Sequence, residues 1–341
     1  MRKRVWQDWR RIGQWIVGLS GLGALFSYAT VDNPGWDELV NGGVDTALVV
    51  GLAGVYTFFV ANGSGRAFFR RFTFSTTVVW HACAYLLLFM VGRMMGYGVT
   101  GRPLHEFFEG NFLASVLFAF VICLVINFLL QVNRLVGHNV LVHFVTGTYH
   151  TPHEEERIFL FLDLVNSTAI AEQLENKQFH ILLNQFFYDL TEAVLETEGT
   201  IYKYVGDEII VSWPWAVGKR EGNCVRCVLL MMARLAERAG WYEEKFGLVP
   251  QFRAGVHGGT VIAGEIGDVK QEIAYLGDVL NTTARIMGYC KEAGVSWLVS
   301  EEVRALVAGE VEMVWEDKGV FRPRGKVQEV GVWALRAKGE G

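Results

Sequence analysis

Three short clusters in the C-terminal half of the chain combine residue types that handle phosphate. The first is Arg157-Ile-Phe-Leu-Phe-Leu-Asp-Leu164, an apolar run that reads as a buried strand ending at Asp163. A carboxylate at the end of a buried strand costs free energy unless something positive meets it. Val165-Asn-Ser-Thr168 follows, then a helical pattern from Ala169 to about Glu198. Asn166, Ser167 and Thr168 form a small polar turn opening a helix, and the free amides of a helix N-terminus favour phosphate. Strand, acid, turn and helix together suit a site for metal and phosphate.

The second cluster is Gly199-Thr-Ile-Tyr-Lys-Tyr-Val-Gly-Asp-Glu-Ile-Ile-Val-Ser-Trp213, which reads as a β-hairpin turning at Gly206-Asp207. Such a turn is common, and its weight comes from Asp163. Two carboxylates on adjacent strands can hold two divalent cations over a phosphate. The third cluster is Tyr275-Leu-Gly-Asp-Val-Leu-Asn-Thr-Thr-Ala-Arg-Ile286. If it is helical, Asn281 and Arg285, four apart, lie on one face. An amide beside a guanidinium can orient a ribose and neutralise a phosphoryl transition state. Taken singly, each cluster reads equally well as an ordinary buried strand, hairpin or capped helix.

Together the clusters resemble one family. Phe161-Leu-Asp163-Leu-Val-Asn-Ser-Thr168, Lys203-Tyr-Val-Gly-Asp207-Glu and Gly277-Asp-Val-Leu-Asn281-Thr-Thr-Ala-Arg285 stand in the order and wording of the class III nucleotidyl cyclase domain, over roughly Glu156 to Leu335. The Gly-Gly-Asp/Glu-Glu-Phe signature of diguanylate cyclases is missing. The resemblance implies an α+β, ferredoxin-like catalytic domain that converts ATP to cyclic AMP and pyrophosphate in a head-to-tail homodimer. It implies two Mg²⁺ or Mn²⁺ ions per site, held by Asp163 and Asp207 with the Leu164 carbonyl. It makes Lys203 the reader of the adenine ring, Asn281 the ribose-orienting group and Arg285 the stabiliser of charge at the α-phosphate. Arg322-Pro-Arg324-Gly-Lys326 resembles the family's basic loop, with Arg324, then Lys326, contacting the terminal phosphates. One position departs: seven residues before Asn281, where members usually carry Asp, Thr or Ser, stands Ala274. Base choice then falls to Lys203 and backbone groups. The alternatives are a cyclase that also accepts GTP, and a membrane sensor whose cyclase domain binds nucleotide without turnover.

The elements around these clusters fall into two halves. The chain has 341 residues, 51% of them hydrophobic, with mean hydropathy +0.25 and net charge −5. That length suggests two units, that hydropathy places some residues in lipid, and that charge gives no reason to expect nucleic acid as a partner. Five cysteines make no disulfide scaffold and suit a reducing compartment. Four apolar stretches, Ile12–Thr30, Val44–Ala61, Thr73–Gly92 and Phe112–Leu130, each run roughly 18–20 residues, the length of a membrane-crossing helix. The expected architecture is an all-α four-helix transmembrane domain (1–131), a connecting helix (132–150) and the catalytic domain (151–341).

Loop charges set the expected orientation. Arg2, Lys3, Arg4, Arg10 and Arg11 precede the first stretch, and Arg66, Arg70 and Arg71 lie between the second and third. The first loop has only Asp32, Asp37 and Glu38, and the last has Arg93 and Arg102 offset by Glu106 and Glu109. Both termini and the catalytic domain should therefore face the cytoplasm of a cell whose inner (plasma) membrane the chain crosses repeatedly. The first stretch also resembles a signal peptide, though its apolar run is long for one. Gly18, Gly21, Gly23, Gly51 and Gly54 allow close helix packing. His81, inside the third stretch, reads either as a metal or haem ligand or as a helix–helix hydrogen-bonding residue.

In the connecting segment Val132, Leu135, Val136, Val140 and Phe144 fall near one helical face. That stripe suits a short coiled coil across a dimer axis, or a helix lying on the bilayer or on its own catalytic domain. Cys224-Val-Arg-Cys227 has redox spacing but sits in a helical pattern; His257 reads as a structural strand residue, and Glu154–Glu156 as a solvated linker.

Overall fold

A computed structural model describes residues 2–30, 35–61, 68–69, 72–108, scattered positions between 112 and 144, 146–310, 314–322 and 329–336. The chain divides into two compact units, Met1–Val136 and Gly137–Gly341.

The first unit is helical: α1 (Arg2–Thr30), α2 (Trp36–Ala61) and α3 (Phe74–Thr100), followed by a 3₁₀ turn at Leu104–Phe108. Thr73 caps α3, its side chain accepting from the Thr76 amide, and Gly101 closes it in the left-handed conformation that a helix C-terminus favours. Two segments, Leu39–Thr57 and Phe74–Thr100, are long and apolar enough to cross a membrane, and only 6% and 17% of their apolar windows are buried. The apolar part of α1, Ile16–Ala29, is shorter. Most of the fourth expected stretch and most of the Val132–Phe144 stripe lie outside the described residues. Arg93, expected in a loop, belongs to α3, because that helix runs on to Thr100; its guanidinium lies over the rings of Tyr97, Phe107 and Phe112.

Helix packing in this unit uses small residues, though not all those expected. A Cβ at Gly18 or Gly21 would meet nothing within 4 Å, whereas one at Gly92 would fall 2.9 Å from the Val49 Cα. The α2–α3 contact therefore depends on a missing side chain that local spacing did not single out. His81 is buried, its Nδ1 2.8 Å from the Tyr56 hydroxyl on α2, which is the helix–helix hydrogen bond among the two readings of that residue.

The second unit is built on an eight-stranded mixed sheet. β1 (His153–Leu164), α4 (Ser167–Glu196), β2 (Thr200–Val205) and β3 (Glu208–Pro214) come first. α5 (Trp215–Lys219), α6 (Asn223–Glu237), α7 (Ala239–Phe246) and β4 (Phe252–Ile266) follow. β5 (Glu272–Leu276), α8 (Asp278–Tyr289), β6 (Trp297–Ser300), α9 (Glu301–Val307), β7 (Val314–Phe321) and β8 (Val330–Arg336) complete it. The order across the sheet is β2-β3-β1-β4-β6-β8-β7, with β5 on β4. The β2-β3-β1-β4 core is the split βαβ arrangement of ferredoxin-like folds. Glu154–Glu156 are not a linker: they extend β1 by pairing with Val261, Ile262 and Thr260 of β4 while their side chains stay mostly in solvent.

Alternation along β1 sorts its side chains to two faces. Ile158, Leu160, Leu162 and Leu164 join the main core, with Leu182, Phe186 and Leu190 of α4 and Val228 and Met231 of α6. Phe159 and Phe161 point the other way and pack with Ile210, Val261 and, from α8, Val279. Cys224 and Cys227 are buried in α6, their thiols pushed up to about 12 by burial, which makes them core residues and poor nucleophiles. His257 is a β4 residue bonded to Ser300 Oγ at 2.9 Å. Where α8 crosses β4, a Cβ at Gly255 would lie 2.5 Å from the Met287 amide nitrogen and 2.7 Å from the Thr283 carbonyl, so the helix rests directly on strand backbone.

Candidate active site

Asp163 continues the odd-numbered series of Phe159 and Phe161, so alternation carries it to the α8 side of the sheet at the strand's end. It is half-buried, and its register partners are Glu208 on β3 and Arg253 on β4. The β2–β3 turn is Gly206-Asp207, with Gly206 at φ +62°, as a two-residue hairpin turn with glycine first requires. This tight turn places Asp207 next to Glu208, the register partner of Asp163, so the two aspartates share one end of the sheet. Burial, then the hydrogen bond and charge of Asp207, push the Asp163 carboxyl up to about 6; the Leu164 amide and Arg253 pull the other way. Burial and the charges of Asp163 and Asp207 push Glu208 up to about 7.

Those shifts test whether a cation fits. Carboxylates crowded at a strand end resist ionising together, and a divalent cation between them removes the penalty while satisfying their oxygens. Among the described residues no group of three or more His, Cys, Asp or Glu is arranged to hold a metal by itself. Carboxylate oxygens are the donors that hard divalent cations take, with water and phosphate oxygens completing the shell. Leu164, buried beside Asp163, pairs with Phe252.

Behind this pair, Asn166 stands at the α4 N-terminus at φ +58° and makes no side-chain capping bond. Its carbonyl accepts from Ile170 at 3.0 Å, and the Val165 amide donates to Gln251 at 2.8 Å, which fixes the turn. Ser167 and Thr168 are the first residues of the helix. Asn281 and Arg285 lie on α8 as the spacing predicted, Asn281 exposed and Arg285 half-buried. The buried neighbours Thr282 and Thr283 bond back to the Asp278 and Val279 carbonyls at 2.9 and 2.7 Å. The helix therefore buries its apolar and threonine face while the Asn281–Arg285 face stays open.

Lys203 lies on β2 just after a register shift. Its Nζ donates to Glu272 Oε1 of β5 at 2.9 Å and sits 5.1 Å from the Tyr202 ring. That bond, ahead of every other cause, raises the ammonium pKa and lowers that of Glu272. Arg322 approaches Glu329 at 3.4 Å, while Arg324 and Lys326 lie outside the described residues.

Two carboxylates at this site escaped the sequence reading. Glu208 follows Asp207 directly, and only the β1–β3 register sets it opposite Asp163. Glu272 is 69 positions from Lys203, and no local period connects them. Its one available signal was its place two residues before Ala274, on the same face of an expected strand.

The sheet and its helices make the second unit an α+β domain with clustered carboxylates at one end of β1 and an open face on α8. Residues 149–336 match the adenylate and guanylate cyclase catalytic domain, and the chain belongs to that family. It is an enzyme of the cyclase class, with the α+β cyclase fold. It is 32% identical over 281 residues to "Adenylate cyclase 2" of Rhizobium meliloti (strain 1021), covering 80% of this chain and 77% of that protein. "Adenylate cyclase 1" of the same organism is 30% identical over 183 residues, 52% of this chain and 26% of that one. The fold resembles a bacterial light-regulated adenylyl cyclase at TM-score 0.53 and 19% identity, over 63% of each chain.

Proposed function

We propose that this enzyme is an adenylate cyclase anchored in the cell's inner (plasma) membrane, forming 3′,5′-cyclic AMP and pyrophosphate from ATP at sites shared between two copies of the chain. The observation that carries the reading is the Asp163–Asp207 pair, set at one end of the sheet by the β1–β3 register and the two-residue turn that precedes β3. Asp163, Asp207 and the Leu164 carbonyl would hold two Mg²⁺ or Mn²⁺ ions. When bound, these supply charge neutralisation for the triphosphate and a lowered pKa for the ribose 3′-hydroxyl.

The other residues bind and orient. The amides behind Asn166, Ser167 and Thr168 receive phosphate oxygens. Asn281 orients the ribose so that its 3′-oxygen stands in line with the α-phosphorus, and Arg285 stabilises the charge that develops there. The new 3′-oxygen–phosphorus bond forms as the bond to the β-phosphate oxygen breaks, pyrophosphate leaves, and the hydroxyl proton passes to solvent. Lys203 donates to the adenine ring, and Arg324 and Lys326 contact the terminal phosphates. Asp163 and Asp207 come from one chain; Lys203, Asn281 and Arg285 come from the other. Two-fold symmetry makes two such sites.

The apolar, little-buried α2 and α3 windows and the basic loops support a multi-pass anchor with both termini cytoplasmic. A cysteine placed near Gly35 should react with an impermeant reagent outside intact cells, and one near Gly65 should not. Ala274, buried and unable to hydrogen-bond through its side chain, supports a second reading in which GTP is also accepted. The deciding experiment incubates purified protein with ATP or GTP and Mg²⁺ or Mn²⁺ and identifies the cyclic product. Cyclic AMP is expected; absence of any cyclic nucleotide would overturn the proposal.

A further inference from the structure

Adenine and guanine present opposite patterns on the edge a protein can read. Adenine offers an amino donor at position 6 and an acceptor at N1; guanine offers an acceptor at position 6 and donors at N1 and N2. A lysine has donors only. Lys203 can therefore satisfy adenine N1 but cannot receive the 6-amino group, and something beside it must supply an acceptor. On β5 the residue seven before Asn281 is Ala274, 4% exposed, whose methyl cannot do so.

β5 pairs with β4 without a register shift, Glu272 opposite Ile266 and Ala274 opposite Gly264. Alternation puts Glu272 and Ala274 on one face and Tyr275 on the other. Tyr275 packs against Tyr202 at 5.0 Å and Phe159 at 5.6 Å, which seats β5 against β2. Glu272, one pleat along from Ala274, meets Lys203: Oε1 accepts from Nζ at 2.9 Å, while Oε2 lies 3.9 Å from Lys270 Nζ, beyond hydrogen-bond reach. Both side chains of the pair are 36% exposed, open enough for a ligand to approach and sheltered enough for the bond to hold its geometry.

We propose that Glu272 is a specificity-determining residue of this cyclase: its carboxylate holds the Lys203 ammonium and accepts the adenine 6-amino group, replacing the acceptor that Ala274 lacks. The inference rests on the reading of Lys203 as the base-contacting lysine. Donor and acceptor then sit side by side in the order adenine needs, and guanine meets the carboxylate with its 6-oxygen. Loss of one such polar partner shifts substrate ratios by about ten- to a hundredfold.

The test uses full-length protein and compares wild type, Glu272→Gln and Glu272→Ala on ATP, GTP and the 5′-triphosphate of purine riboside, which lacks the 6-amino group. In Glu272→Ala, kcat/KM for ATP should fall about tenfold or more and the ATP/GTP ratio should drop with it. The purine riboside substrate should lose clearly less than ATP, because only the holding of Lys203, and no bond to a 6-amino group, is lost there. Glu272→Gln, which keeps an acceptor and the side-chain size, should fall between. An equal loss on all three substrates would mark Glu272 as structural only, and an unchanged or increased ATP/GTP ratio would overturn the assignment. Wild-type cyclic AMP formation separates the two levels: if it is absent, the functional reading falls as well; if it is present with an unmoved ratio, only Glu272 is misassigned.

Discussion

The helical unit and the cyclase unit dispose of their apolar side chains in opposite directions. In the cyclase unit Ile158, Leu160, Leu162, Phe186 and Val211 are fully buried, and of the charged residues only Arg157 and Asp189 join them among those described. In the helical unit Val17, Leu22, Leu87 and Val99 are 62–77% exposed, while Thr77, His81, Gly92 and Gly96 are among the buried residues of α3. One unit is organised to exclude water from its middle. The other keeps its few polar groups for its own helices and presents hydrocarbon outward, as a protein dissolved in lipid does. Chemistry that needs charged groups at a wet cleft belongs to the first; the second can offer only packing and a few shielded hydrogen bonds.

The sharpest way to break this contrast is to remove one polar group from each unit. Asp163→Ala or Asp207→Ala should lower turnover to below about a tenth of wild type, since the metal-ligand role proposed for each is worth several kcal/mol of transition-state stabilisation. His81→Ala removes one interhelical hydrogen bond, worth about 0.6–2 kcal/mol, and should leave kcat within about threefold. Steady-state rates on purified, folded variants decide it, and comparable losses in both units would refute the division.

Mixing two dead enzymes probes whether the cyclase unit is complete in one chain. Asp163→Ala and Arg285→Ala should each be nearly inactive alone. Co-expressed chains that pair at random give mixed dimers in which one site collects both lesions and the other none, restoring about a quarter of wild-type activity. Recovery near zero, with mixed dimers shown to form, would mean that each chain holds its own site.

Truncating one leucine in each unit turns the packing difference into energies. Leu160→Ala should destabilise the cyclase unit by about 2–5 kcal/mol through lost burial and a residual cavity. Leu87→Ala, on a 64% exposed position of α3, should cost under about 0.5 kcal/mol in detergent or bilayer. Thermal unfolding of the two variants gives the comparison; equal costs would mean that Leu87 faces a core.

A smaller effect than the Leu160 truncation is expected on pH dependence. Folding raises the pKa of Asp163 to about 6 and of Glu208 to about 7, so between about pH 4 and pH 7 the folded chain binds more protons than the unfolded one. Stability therefore falls as pH rises through that window. Both groups are partly solvated, and after screening the loss is on the order of 1–2 kcal/mol, or a few degrees in Tm. Without divalent ions, wild type should melt lower at pH 8 than at pH 5, and Glu208→Gln should reduce the difference. Added Mg²⁺ should shrink it as well. A Tm that rises with pH by the same amount in both proteins would contradict the assigned direction.

Much of the cyclase unit was legible because its signals are local. Asp163 ends an apolar run, Gly206-Asp207 occupies a two-residue turn, and Asn281 and Arg285 are one helical turn apart; each is fixed by a handful of neighbours along the chain. What escaped was set by partners distant in sequence. Glu154–Glu156 looked like a solvated linker because three consecutive acids lack strand character, yet β4 supplies the pairing that extends β1 through them. Glu208 and Glu272 carry no motif of their own and join the site through register and through the approach of β5 to β2. Arg93 ended outside its expected loop because its charge is met by aromatic rings, so the helix had no reason to stop before it.

Gly255 gives the cyclase unit a narrow machining tolerance. The spacing between β4 and α8 is set by hydrogen atoms alone, against the backbone of Thr283 and Met287, atoms that cannot rotate aside. A single methyl at this position acts as a shim, lifting the helix that carries Asn281 and Arg285 away from the strand beneath it. Displacements on the scale of 1 Å can cost on the order of a hundredfold in rate even when they arise far from the reacting atoms. The bearing surface of α8 is thus as exacting as the side chains it presents, and a change there would slow the enzyme while leaving every polar residue of the proposed site in the sequence.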